Sequence, residues 1–169
     1  MTDGTPWRTG DRLAEVYGAA AALLRNDRGG AGILVAMLVD DDDLLDVLLT
    51  LASAALERLD RALTAAPEQG THPSSRLARE LLDLALETGF ALPDSVHAAA
   101  WRLDAVRRED MALLAHSVSA FRPQLDDFDL VAGAVALLAA LVTFGARCAG
   151  EAVLASAERL CVAVSLSAP

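Results

Sequence analysis

Asp40, Asp41, Asp42 and Asp43 form the densest group of ligating side chains in this sequence. Adjacent carboxylates hold calcium when they alternate around a central glycine and a glutamate closes the loop. The stretch DDDDLLDVLL has neither feature, so the expectation is a solvated turn that caps the next helix and binds no metal. A second candidate lies just upstream, where Gly29, Gly30 and Gly32 precede an apolar run. Backbone N–H groups at such a helix start can cradle phosphate. Here no strand leads in and no Gly-Lys-Ser/Thr follows, so no nucleotide site is expected.

The remaining chemistry-bearing residues do not assemble by spacing. His72, His97 and His116 are scattered, and Cys148 and Cys161 lie thirteen apart in apolar sequence, which is neither a zinc spacing nor a disulfide framework. No nucleophile, base and orienting acid can be put in order. The sequence therefore predicts no catalytic residue, no cofactor and no metal.

Charge narrows the partners. With a formal net charge of −10 and a pI near 4.6, the chain repels a phosphate backbone, and nothing larger than Arg107-Arg108 offsets this, which argues against nucleic acid. The opening MTDGTPWRTGDR lacks the charged-then-apolar order of a secretory signal. With both cysteines in apolar helical sequence, a cytoplasmic protein with reduced thiols is expected.

The elements that would position any site are helices. The chain is 54% hydrophobic but only 4% aromatic, so its core is built of Leu, Ala and Val, which are largely helix-forming residues. The most apolar stretch is Leu130–Ala146, seventeen residues without a charge between Asp129 and Arg147. That is the short limit for crossing ~30 Å of hydrocarbon. Six alanines and two glycines make it a weak span, and Asp126, Asp127 and Asp129 crowd one end, where they would resist insertion. A buried central helix opened by Asp127 or Asp129 as N-cap is expected, and these grounds argue against a membrane span.

Elsewhere apolar residues recur at helical spacing. A helix is expected from about Asp11 to Arg25, ended by Asn26. Ile33–Val39 fits helix or strand and is assigned to helix for want of a partner strand. A long helix to Ala65 carries a polar stripe at Asp46, Thr50, Ser53, Glu57, Asp60 and Thr64. After a loop from Pro67 to Pro73, helices are expected from Ser74 to Thr88, from Asp94 to Arg107, from Arg108 to Phe121 with Met111 inward, and from Glu151 to Ser165.

Sliding the chain by 86 places Asp40, Asp41, Asp43 and Leu44 on Asp126, Asp127, Asp129 and Leu130, and the order of elements recurs with it. In that register the polar stripe falls on Ala132, Ala136, Ala139, Thr143 and Ala146. These small residues resemble a closely approached helix surface, and they are the expected interface with another molecule. The sequence thus predicts an all-α single-domain bundle of about seven to eight helices without a sheet: a flexible arm over residues 1–9, then one domain over 10–165 with pseudo-repeats 10–89 and 93–165. The function expected is a non-catalytic helical protein–protein interaction or scaffold module that self-associates, its partner a second copy or another protein. A bundle binding an apolar or amphipathic small molecule is the second reading, and a membrane-associated helical protein the third.

Overall fold

The computed structural model describes residues 6–41, 43–65 and 74–159, and among these residues there is no strand. In chain order the helices are α1 (Pro6–Leu24), α2 (Arg28–Asp41), α3 (Leu44–Ala65), α4 (Ser74–Glu87), α5 (Pro93–Arg107), α6 (Met111–Ser119) and α7 (Asp127–Ala149), and residues 153–159 are helical again. This is the all-α bundle expected. The stretch Ile33–Val39 belongs to α2 and is helix.

The first boundary differs from the expectation. Residues 6–9 belong to α1 rather than to an arm, because Pro6 at a helix start loses no bond it would have made and already has a helical φ. The Pro67–Pro73 loop with His72, and the end of the domain at 160–165 with Cys161, fall outside the described residues.

α7 sits at the centre. It touches α1, α2, α3, α4 and α5, and its residues Leu130 to Val142 are buried without a break. It is long and apolar enough to cross a membrane, yet 78% of its most apolar window is buried inside the protein, as a core helix requires. Its start is fixed by Asp126, one residue earlier than expected. The Asp126 carboxylate accepts from Asp129 N at 2.8 Å while Asp129 accepts from Asp126 N at 3.4 Å, a reciprocal capping box. Its end is fixed by Gly150 at φ +67°, whose left-handed turn lets Glu151 N donate back to Ala146 O at 2.8 Å.

The joints between helices recur 83 residues apart. Asn26 and Glu109 both adopt a left-handed φ, +62° and +54°. Asp27 N donates to Ala22 O at 2.8 Å, and Asp110 N to Ala105 O at 3.0 Å. The same two aspartates cap the next helices, accepting from Gly30 N at 2.8 Å and from Leu113 N at 2.9 Å. Asp43 caps α3 by accepting from Leu45 N at 2.9 Å, and Asp126 caps α7. The geometric register is therefore 83 and not 86: one capping residue per joint sets it, not the run of aspartates.

The two sets of helices are covered differently. α1 packs chiefly on α2 and α7 and meets α3 at few places, one of them the ion pair Arg12–Asp46. α5 lies along α7 for much of its length. There Gly133 lets the backbones approach so closely that a Cβ on it would stand 2.2 Å from Ser95 O.

Candidate functional site

The small-residue stripe expected to face another molecule is covered by its own chain. Ala132 is 2% exposed, Ala136 and Ala139 0% and Ala146 3%, while Thr143 is half-buried and donates its hydroxyl to Ala139 O at 3.0 Å. The stripe is thus not free to receive a partner. A helix apolar on nearly all sides must be surrounded, and five helices of the same chain achieve this.

The candidate ligating groups also stay apart. Among the described residues no three His, Cys, Asp or Glu side chains come together as a metal set. Asp40 and Asp43 are exposed. Of the histidines described, His116 stacks on Trp101 with centroids 6.2 Å apart, and Trp101 meets Phe121 edge-on at 5.5 Å, while His97 is exposed. Met111, expected inward, is 70% exposed, because it is the first residue of α6 and precedes the turn that packs. Burial, and then Glu80, push the Cys148 thiol up, away from the thiolate a nucleophile needs. Burial is also the leading cause that raises Asp129, with the charge of Asp126 adding to it, and it raises Tyr17 against the lowering charge of Arg58.

One buried cation was not anticipated. Arg102 in α5 is 1% exposed, and burial lowers its pKa to about 10. One guanidinium nitrogen donates to Leu130 O at 3.3 Å, and the other, Nη1, has no acceptor among the described residues. In sequence Arg102 stands one turn after Ala98 and Ala99, but spacing alone does not tell an inward arginine from one whose head reaches water. An arginine there is ordinarily taken as snorkelling outward.

Two surface features remain. The first is the outer face of α2. Ala31, Val35 and Leu38 are 0% exposed against the body, whereas Ile33 and Met37, one turn apart on the other side, are 65% and 42% exposed. Gly29 and Asp40 extend that outward stripe. Periodicity alone could not find this face, because α2 is apolar all round.

The second is a cavity of about 370 Å³ lined by α3, α7 and residues 151–159. Its floor is apolar, from Ala62, Leu141, Val142 and Gly145, and its polar lining holds Arg58, Arg61 and Arg159 with Glu151 and Ser156. Arg61 bonds Glu57 at 2.7 Å, and Arg159 pairs with Glu151. Arg58 is the inner member, with 15% of its side chain exposed against 66% and 60% for Arg61 and Arg159. No family model, no curated protein and no solved structure matches this chain.

Proposed function

We propose that this chain is a non-catalytic helical interaction module of the cytoplasm that pairs with a second copy of itself through the outward face of α2. The observation that carries this reading is the exposure of Ile33 and Met37, at 65% and 42%, on a helix whose opposite side is fully buried. Large apolar side chains placed side by side in water favour association. Gly29 and Ala36 flank them, leaving room for a second helix to come close. A two-fold axis across the face sets the two α2 helices antiparallel. Arg25 and Arg28 at one end then meet Asp40 and Asp43 at the other end of the second copy, and this complementarity fixes the direction of pairing.

Size exclusion coupled to light scattering at micromolar concentration tests it. The parent is expected at twice the chain mass of 17.7 kDa. Ile33→Glu with Met37→Glu is expected at the monomer mass with unchanged far-ultraviolet circular dichroism. A monomeric parent, or a dimer untouched by both glutamates, refutes the proposal. Raising salt should loosen the dimer modestly, because exposed ion pairs are screened.

A further inference from the structure

Of the fourteen basic residues in a chain of formal net charge −10, three line the cavity between α3 and α7: Arg58, Arg61 and Arg159. The lining holds one carboxylate against them, Glu151. An acidic protein has no general reason to gather cations around a hollow. From this we infer that the cavity binds a small amphipathic anion, a carboxylate with a short apolar body, held by the arginines at one end and by the α3–α7 floor at the other.

The residue types fit that chemistry part by part. A guanidinium presents paired N–H donors that match a carboxylate. Arg58 is already desolvated: its Nε is buried with no acceptor among the described residues, and its nearest carboxylate contact, Glu57, stands at 3.4 Å. The Tyr17 ring lies 5.9 Å from its guanidinium carbon, so an aromatic face supports it besides Glu57. Arg61 and Arg159 keep exposed ion pairs with Glu57 and Glu151, which are worth little in water and yield readily to an incoming carboxylate.

The floor argues for a tail. Ala62 in α3 and Leu141, Val142 and Gly145 in α7 bring no polar side chain to the cavity, and inorganic phosphate would leave them unmatched. A volume of about 370 Å³ is the liquid-phase share of roughly a dozen waters. That suits a ligand of about ten non-hydrogen atoms, at the small end of binding cavities.

The experiment is calorimetric titration of the full chain at pH 7 and low salt with octanoate, with octanamide and inorganic phosphate as comparison probes. Octanoate is expected to bind saturably, one per chain, with Kd of about 100 µM or tighter. Octanamide and phosphate are each expected to bind at least tenfold more weakly. Arg58→Met and Arg159→Gln should each weaken octanoate about tenfold, and Ala149→Phe, at the exposed rim, should block it. Arg159 and Ala149 are exposed, so those variants report on the site even if Arg58→Met fails to fold. Absence of saturable octanoate binding, equal affinity for octanamide, or octanoate affinity retained in both Arg159→Gln and Ala149→Phe would each overturn the inference. The Ile33→Glu variant should bind octanoate as the parent does, because α2 does not line this cavity.

Discussion

α3 and α7 begin alike. They are 22 and 23 residues long, and aspartates 83 positions apart cap them. Yet α3 keeps a polar stripe in which Ser53, Glu57, Asp60 and Thr64 are exposed, while α7 is buried by its own chain from Leu130 to Val142 without a break. In the 83-residue register the stripe positions Thr50, Ser53 and Glu57 answer to Gly133, Ala136 and Ala140. The contrast teaches that a small-residue stripe reports close approach but not whose helix approaches. Here α5 arrives first, with Ser95 O against Gly133.

Glutamate substitution at paired positions should split the two helices most widely. Ala136→Glu places a carboxylate where exposure is 0%. An unpaired buried ion costs several kcal/mol, comparable to the whole stability of a domain, so cooperative thermal unfolding should be lost. Its counterpart Ser53→Glu, on the exposed face of α3, should melt within about 0.5 kcal/mol of the parent. A folded, soluble, monomeric Ala136→Glu would restore the intermolecular reading of the stripe.

Next in size is a single methyl group. Gly133→Ala should cost about 3 kcal/mol, at the upper end of overpacking, because its Cβ would meet backbone and not a yielding side chain. Thr50→Ser, which loses a methyl but keeps the hydroxyl bonded to Asp46 O, should change stability by about 0.5 kcal/mol or less. Equal denaturation midpoints for the two would mean that α5 does not lie on α7 at this point.

Arg102 sharpens the comparison from the covering side, since Ala19 occupies the same place 83 residues earlier and is also buried. A buried ion without a counter-charge opposes folding, so Arg102→Met should stabilise by about 1–4 kcal/mol at pH 7. The sign with pH follows from a folded pKa of about 10 against the higher, ordinary guanidinium value in the unfolded chain. Below pH 10 both states are charged and the folded state bears the full cost. Between these values the unfolded chain binds more protons, so this group's contribution rises with pH. Denaturant midpoints should therefore show the gap between Arg102→Met and parent narrowing from pH 7 to pH 11. A constant gap would show that the arginine acts through packing alone.

The smallest difference is expected at the caps. Asp126→Ala removes the half of the capping box that accepts from Asp129 N, and with it the bond that holds Asp129 for the reciprocal half, and should cost about 1.5 kcal/mol, and Asp43→Ala, with one bond to Leu45 N, about 1 kcal/mol. Thermal melts of the pair should keep that order. A reversal would mean that α3 depends on its entry more than the central helix does.

What the sequence determined by itself was local: the helices, their breaks at Asn26 and Asp43, the exposed stripe of α3 and the burial of Leu130–Ala146. These follow from periodicity and from capping chemistry, which act over a few residues. The register of the recurring joints was missed because a run of four aspartates offers several alignments, and only a hydrogen bond to Leu45 N selects Asp43. Tertiary structure alone decided what covers each apolar face. That choice depends on which helices, distant in sequence, come to lie side by side, and alanines present the same surface to a neighbour in the chain as to a second molecule. For the same reason the inward Arg102, the uncovered Ile33–Met37 face and the arginine-lined cavity became visible only when α5, α2 and α3 took their places around α7.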